Sequence, residues 1–319
     1  MRLLVTGGCG FIGSHFIRLA LGKDKGAEIV NLDKLTYAGR LENTSDFAKG
    51  PRYKFVKGDI LDLPLVKRLC KETDMVVHFA AETHVDRSII SAGEFVQTDV
   101  LGTQRMVQAA LDAGHKRFFH ISTDEVYGSR ENGFFKETDA LSPNSPYSAS
   151  KAGAEMMVRA YERTYGLQAT ITRSSNNYGP NQHPEKLIPR AITNLLRGMK
   201  VPVYGSGENV RDWIHVTDNC EAIWLLLSGA HAGVYNIGAM GGTQNMEIVK
   251  TLAKLAGKGE SLISHVEDRK GHDWRYAIDT GKLCSLGWKP RIGLEDGLKK
   301  TFEWYSKNRK WWEPVVIDK

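Results

Sequence analysis

The segment Ser122-Thr123-Asp124-Glu125-Val126-Tyr127-Gly128 sets a hydroxyl and two adjacent carboxylates directly after an apolar run, Arg117-Phe118-Phe119-His120-Ile121. The run predicts a buried strand. In an open α/β sheet, ligands bind beyond the carboxyl ends of the strands. A hydroxyl and two acids in that place suit proton transfer. Neighbouring residues of a strand or turn point in different directions, so the two acids can address different atoms of one ligand. Two close carboxyls in a partly dry site resist joint ionisation, so one should keep its proton. Which one keeps it is open at this level. Further on, Pro143-Asn144-Ser145-Pro146 precedes Tyr147-Ser148-Ala149-Ser150-Lys151, and the pattern is helical to about Tyr165. Tyr147 and Lys151 then share a helical face. An ammonium near a phenol lowers its pKa and makes tyrosinate a usable base. The same spacing also fits a plain surface pair, and its meaning depends on what precedes it.

What precedes it is a series of strands and helices that could carry such a site. Arg2–Thr6 predicts a strand, Ser14–Leu21 a helix, and Gly7-Gly8-Cys9-Gly10-Phe11-Ile12-Gly13 the turn between them. Gly7 permits a tight turn, Gly10 lets a diphosphate approach the backbone, and Gly13 lets helix and sheet pack closely. Alone, this also fits an ordinary strand–helix turn. Glu28–Asp33 predicts a second strand whose terminal Asp33 stands about 20 residues past Gly13, where a carboxylate accepts from ribose hydroxyls and repels a 2′-phosphate. NAD is therefore expected rather than NADP, with Lys34 and Arg40 as opposing signs. Tyr53–Lys57 predicts a third strand. Asp59, in Gly58-Asp59-Ile60, fits an adenine contact and a cap for a helix over Leu61–Leu69 equally well. Asp74–Phe79 predicts a fourth strand, followed by Ala80 and Ala81, small enough for a cofactor to lie against backbone. His84 is a candidate ligand contact or a structural histidine. Glu94–Ala113 predicts a long helix with a wide apolar face, ended by Gly114.

Beyond the opening segment, Gln168–Arg173 predicts a sixth strand and Ser174–Pro180 a polar turn. Pro184–Arg197 predicts a helix, Asn209–Val216 a strand, Thr217–Leu227 a helix that could return to the main sheet, and Val234–Gly238 a strand. Asn245–Ala256 and Leu294–Asn308 predict helices. Asp268-Arg269-Lys270-Gly271-His272-Asp273 is a charged loop that could pair with phosphates or simply be a solvated turn, the reading its sequence alone favours. Lys310-Trp311-Trp312-Glu313-Pro314 predicts aromatic packing or an interface. The expected fold is α/β: a Rossmann-type doubly wound parallel sheet with a smaller α/β substrate-binding lobe. Residues 1–175 plus about 209–238 would form the NAD-binding domain. About 176–208 plus 239–319 would form the lobe.

Composition narrows the classes. The chain has 319 residues and a net charge of +6 without a basic run, so neither nucleic acid nor a membrane is expected as a partner. There is no signal-peptide layout and no apolar run of membrane-spanning length, and a cytoplasmic location is expected. Cys9, Cys70, Cys220 and Cys284 are far apart with no C-x-x-C pair. Neither zinc nor a disulfide framework is expected, and most of the four should be buried thiols.

In this order, Gly7, Gly10, Gly13, Asp33, Gly58-Asp59-Ile60, Thr123, Tyr147 and Lys151 resemble the extended short-chain dehydrogenase/reductase family over essentially the whole chain. The segments Ser122–Gly128, Asn176–Pro180, Pro184–Pro189, Asn209–Trp213 and Arg269–Asp273 resemble its sugar-nucleotide 4,6-dehydratase branch. The resemblance implies that NAD, tightly bound and regenerated each cycle, is held by the glycine turn with Phe11 and Ile12, by Asp33, Lys34, Leu35 and Thr36, by Asp59 and Ile60, by Ala80, Ala81, Glu82 and His84, and by Thr98, Tyr147, Lys151 and Asn177. It implies a nucleoside-diphosphate glucose, dTDP-glucose in the first place, held by His84, Thr123, Asn176, Lys186, Leu187, Pro202, Tyr204, Arg211, Asn245, Asp268, Arg269 and His272. The charged loop would thereby be functional. Tyr147 would be the base for C4 oxidation, assisted by Lys151, with Thr123 on the 4-oxygen. Glu125 would take the C5 proton, Asp124 would protonate the departing 6-hydroxyl, and hydride would return to C6. The helices around Glu94–Ala113 and Tyr147–Tyr165 would pair in a homodimer as a four-helix bundle. The chain departs from the family at Cys9 for Ala, Thr83 for Ser, Asp99 for Asn, and Gln182-His183 for a more aromatic pair.

A sugar-nucleotide 4-epimerase would share the glycines, hydroxyl, Tyr and Lys, but needs no acid pair. A decarboxylase of the superfamily often has one acid there. A non-enzymatic NAD-binding module would not need Thr123, Tyr147 and Lys151 together.

Overall fold

The computed structural model describes residues 1–316. Its centre is a seven-stranded parallel sheet. The strands are β1 (Arg2–Thr6), β2 (Glu28–Asp33), β3 (Tyr53–Lys57), β4 (Met75–His78), β5 (Arg117–Thr123), β6 (Gln168–Ser174) and the strand Gly233–Ile237. Their spatial order is Gly233–Ile237, β6, β5, β4, β1, β2, β3. Succession therefore reverses between β1 and β4, which places a ligand crevice at the carboxyl ends of those two strands.

Side chains alternate across each strand, and both faces are buried. Leu3 and Val5 join the core under the helices Phe11–Lys23 and Val216–Ser228. Leu4 joins the opposite core, with Met106, Val107 and Val158 from the helices Gly102–Asp112 and Pro146–Tyr165. The helix expected at Thr217–Leu227 thus does return to the main sheet. A third core gathers Tyr178, Ile188, Trp213, Leu252, Tyr305 and Trp312, which lie outside the sheet. The aromatic tail packs here, with Trp312 fully buried.

Four local readings change. The strand expected at Asn209–Val216 is two strands, Val210–Arg211 and Trp213–His215. Asp212 interrupts it because its carboxylate accepts the N–H groups of Ala239 and Gly241, each at 3.0 Å. The expected polar turn at 174–180 contains a strand, Asn176–Tyr178, paired in parallel with Trp213–His215. Asp59 caps no helix: Asp62 accepts from the Leu65 N–H at the start of Leu63–Lys71. The helix expected at Glu94–Ala113 runs from Ala92 to Asp112 and includes a π-helical turn at Val96–Leu101.

The helix Pro146–Tyr165 starts sharply. Ser145 and Ser148 form a reciprocal capping box, and Pro146 occupies the first turn. Its third inward residue on the Tyr147–Lys151 face is Glu155. The Glu155 carboxylate lies 2.7 Å from Arg173 Nη2 on β6, with both side chains almost wholly buried. It also accepts the Ser122 hydroxyl of β5 at 2.5 Å. Arg173 Nη1 donates to the Tyr127 hydroxyl at 2.8 Å, and that hydroxyl donates to Asn236 at 2.8 Å. One ion pair thereby joins helix, two strands and the turn after β5. Removing one partner leaves a buried uncompensated charge. Glu155→Ala should therefore destabilise the protein by roughly 3–5 kcal/mol, whereas replacing both Glu155 and Arg173 with methionine should cost far less. Urea unfolding of the two variants checks this.

Candidate functional site

A cavity of about 320 Å³ runs along the crevice from the glycine turn to the acid pair. Its wall includes Gly7, Gly10, Phe11, Ile12, Gly13, Asp33, Lys34, Thr36, Asp59, Ile60, Ala80, Ala81, Glu82, Thr98, Tyr147, Lys151 and Asn177. Thr123, Asp124, Glu125, Asn176 and Lys186 line the same space. Leu35 and His84, both expected to hold NAD, do not; with φ of 57°, Leu35 instead turns its N–H onto Asp33.

The glycine turn is required by close packing. Gly7 has φ of +69°, and a Cβ on Gly13 would stand 2.4 Å from the Gly7 carbonyl oxygen. Gly10 caps the helix Phe11–Lys23 without any side-chain acceptor. The first amides of that helix, with the positive end of its dipole, favour an anion. Asp33 is oriented by the N–H groups of Cys9 at 2.9 Å and Leu35 at 2.8 Å. Cys9 is buried, its thiol pushed up to about 12 by burial, so it acts as a small apolar residue. Lys34 is drawn 2.7 Å from Asp59, and Arg40 is engaged by Glu42 and by the Trp311 carbonyl and ring. Both cations that argued for a 2′-phosphate are thus committed elsewhere.

At the far end, β5 runs two residues beyond its apolar run, and Asp124–Tyr127 forms a 3₁₀ turn. Thr123 caps that turn by accepting the Glu125 N–H at 3.2 Å. The two acids differ in surroundings. Burial holds Asp124 well above the usual carboxylate range, and the charges of Glu125 and Asp212 add to this. Burial also raises Glu125, but Arg269, Lys186 and Arg211 all oppose it. Neighbouring carboxylates thus add to the rise of Asp124, whereas three cations oppose the rise of Glu125, so the surroundings favour a proton on Asp124 over one on Glu125.

Tyr147 and Lys151 share the cavity wall. The Lys151 ammonium donates to the Ile121 carbonyl at 2.8 Å. Burial holds Tyr147 above the ordinary phenol range, and the charges of Glu125 and Asp99 add to this.

The remaining candidates form a second group beyond Glu125. Tyr204 donates to Asp86 at 2.9 Å, Arg269 lies 3.7 Å from the same carboxylate, and His272 lies 2.6 Å from Asp268. His84 has φ of 143°, strained for a residue with a side chain, and burial pushes it down to about 4. Arg211 stacks 4.2 Å over Tyr276. Leu187 begins the helix Leu187–Arg197 and Pro202 lies in a strand paired with Ile263–Val266; like Tyr204, Arg211, Asn245, Asp268, Arg269 and His272, they stand outside the cavity wall. Tyr276 was missed from the sequence. Its hydroxyl lies 3.4 Å from Glu125 and donates to Asp273 at 2.5 Å. Its position just after the charged loop was the available signal.

Among the described residues, His84 Nδ1, Asp124 Oδ2, Asn176 Oδ1, Asn177 Oδ1, Asn245 Oδ1 and Arg269 Nε are buried without a hydrogen-bond partner. Buried polar atoms are nearly always paired. These six are among sixteen such atoms, the rest including His120, Thr172 and Trp213 away from the cavity wall, and those at the site would suit a polar, hydrogen-bonding ligand.

The doubly wound sheet, glycine turn and acid at the end of β2 define a dinucleotide-binding α/β protein of Rossmann type. Residues 4–301 match the family described as GDP-mannose 4,6 dehydratase, and the chain belongs to it. It is 50% identical to the dTDP-glucose 4,6-dehydratase of Streptomyces niveus over 323 residues, covering 99% of this chain and 96% of that one. The structure of DesIV, a dTDP-glucose 4,6-dehydratase from Streptomyces venezuelae with NAD and TYD bound, is similar with a TM-score of 0.97 and 51% identity, covering 99% of this chain and 100% of that one. The UDP-glucose 4-epimerase of Thermus thermophilus in complex with NAD is similar with a TM-score of 0.90 and 31% identity, covering 97% of this chain and 100% of that one.

The state of Asp124 has a measurable consequence. An unfolded aspartate ionises near pH 3.9, whereas folded Asp124 ionises well above that. Folding thus takes up a proton, and its stability contribution declines as pH rises through that window. Asp124→Asn should raise the thermal midpoint at neutral pH, with the gain shrinking as pH falls towards the unfolded value. Melting curves across pH check this.

Proposed function

We propose that this chain binds NAD along the cavity and dehydrates dTDP-glucose to the 4-keto-6-deoxy sugar nucleotide. The observation that carries this reading is the unequal acid pair in the wall of the cavity that also holds Tyr147 and Lys151, with Asp124 beside two further carboxylates and Glu125 beside three cations. The names of the similar dehydratases support it, and support thymidine over uridine as the nucleoside. A 4-epimerase leaves the 6-hydroxyl in place and has no use for a second acid beside Glu125.

The glycine turn would take the NAD diphosphate, Asp33 the adenosine ribose, and Asp59 with Ile60 the adenine side. Arg211, Arg269 and His272 would face the substrate diphosphate. Residues 1–175 plus about 209–238 would be the NAD-binding domain, and the rest the sugar-nucleotide lobe, a division supported by its separate core. When bound, NAD accepts the C4 hydrogen as hydride and returns it at C6. Tyr147 takes the proton of the 4-hydroxyl, and Thr123 holds the 4-oxygen. Burial disfavours tyrosinate, and Lys151 and the positive nicotinamide ring would both favour it. The 4-ketone acidifies C5. Glu125 would take that proton while Asp124 gives its own to the departing 6-hydroxyl, and Glu125 would give a proton back to C5 as hydride returns to C6.

The chain would act as a homodimer. Ile90, Val96, Leu101 and Met156 are exposed apolar residues on or beside the helices at 92–112 and 146–165, which supports their burial in a four-helix bundle. No helix among the described residues is long and apolar enough to cross a membrane. The unpaired thiols support a reducing, cytoplasmic setting.

The central test is incubation with dTDP-glucose and, separately, UDP-glucose, with NAD supplied, following the 4-keto product by its absorbance in alkali; no product from either would overturn the reading. Glu125→Gln should retain C4 oxidation, read as the ultraviolet band of reduced cofactor, and lose solvent-deuterium uptake at C5. Tyr147→Phe should suppress the oxidation itself. Each loss should cost roughly 10²–10⁴ in turnover. Val96→Glu should shift the protein to a monomer in size-exclusion chromatography.

A further inference from the structure

Asp99 lies at the site but has no part in the chemistry above. It sits in the π-helical turn Val96–Leu101 and is 1% exposed. Single π turns re-aim side chains and recur at functional sites. Here the turn aims a carboxylate at two walls of the cavity. One oxygen accepts the N–H of Glu82 at 2.8 Å, in the stretch after β4 that lines the cavity. The other accepts the Ser150 hydroxyl at 2.6 Å. Ser150 directly precedes Lys151, and its hydroxyl also lies 2.7 Å from the Tyr147 carbonyl oxygen. Asp99 thus fastens the cofactor wall to the helical turn that carries Tyr147 and Lys151.

The charges around it are few. From the helix Pro146–Tyr165, Lys151 bears on Asp99, and Asp99 in turn bears on Tyr147. From the stretch after β4, Glu82 bears on it, and Glu82 is itself influenced by Arg87, Glu94 and Lys34. His78 on β4 and His120 on β5 are buried beside Lys151 and kept neutral by that burial. The carboxylate therefore stands opposite one ammonium, Lys151, which also has Glu155 near it. Lys151 can favour a tyrosinate only through its positive charge. A carboxylate beside it removes part of that effect and repels the tyrosinate directly. An amide of the same shape would accept from Glu82 and pair with Ser150 without either effect.

We propose that Asp99 is a positioning residue that tunes the redox base: it fixes the Ser150 turn and offsets the Lys151 charge on which the Tyr147 phenolate draws. This rests on the reading of Tyr147 as the base for C4 oxidation. Burial pushes Asp99 up to about 6, with Lys151 and Ser150 opposing. Above that pH Asp99 is charged and holds Tyr147 higher; below it the restraint is lifted. The three groups titrate as a coupled set.

The test uses NAD-loaded protein as wild type, Asp99→Asn and Ser150→Ala. The Tyr147 phenol is titrated by tyrosinate ultraviolet absorbance, with Tyr147→Phe as the reference, and the pH profile of C4 oxidation is recorded alongside. Asp99→Asn should lower the Tyr147 midpoint by about one pH unit, a tenfold change in proton affinity, the scale of two unit charges interacting inside a protein. It should also remove the profile's inflection near 6. Ser150→Ala, which deprives the carboxylate of a donor, should move that inflection upward. An Asp99→Asn midpoint equal to wild type, or lost activity with both pH responses unmoved, overturns the proposal, as does an unmoved inflection in Ser150→Ala. Should wild type make no 4-keto product, the proposed function fails, and the tyrosinate titration still decides whether Asp99 controls Tyr147.

Discussion

Glu155 and Arg173 meet at 2.7 Å, and almost nothing of either is exposed to water. Desolvating two charges is costly, and their attraction offsets that cost only where geometry and further hydrogen bonds are good. Here they are: Arg173 reaches both carboxylate oxygens and the Tyr127 hydroxyl, and Ser122 donates to Glu155. The distances between Thr123, Asp124, Glu125, Tyr147 and Lys151 follow from this arrangement. The acids ride on a turn anchored by Tyr127, the Tyr–Lys pair rides on the helix anchored by Glu155, and Ser122 fixes the strand between them. A neutral core could hold the same elements together, but it would allow them to slide. Hydrogen bonds to a guanidinium allow one register.

The chemistry then depends on a gradient of polarity over two adjacent residues. Asp124 faces inward, next to Glu125 and Asp212, and no described group satisfies its second oxygen. Glu125 faces Arg211, Lys186 and Arg269. The same functional group thus meets opposite surroundings at two adjacent positions. Tyr147 is held up by burial and by the charges of Glu125 and Asp99.

Much of this was legible from the residues. The apolar runs bounded by Gly7, Asp33 and Gly58 gave β1, β2 and β3 to the residue, because buried parallel strands are continuous apolar segments with abrupt ends. Ser145-Pro146 located the start of the helix carrying Tyr147 to within one residue. What failed were features set by partners distant in sequence. Asp212 breaks its strand for the amides of Ala239 and Gly241. The π turn at Val96–Leu101 changes ring size without changing composition. The polarity of the acid pair is set by cations from three separate segments, and Lys151 turns to the Ile121 carbonyl, a contact its spacing from Tyr147 does not reveal.

The strand Gly233–Ile237 completes the central sheet only after the chain has left it and returned, while the third core collects residues from Tyr178 to Trp312. The two bodies are therefore interleaved along the polypeptide. Recombination at a single crossover would exchange part of each and the whole of neither. A laboratory chimera that respects the interleaving needs several junctions, each placed where the chain passes between the bodies.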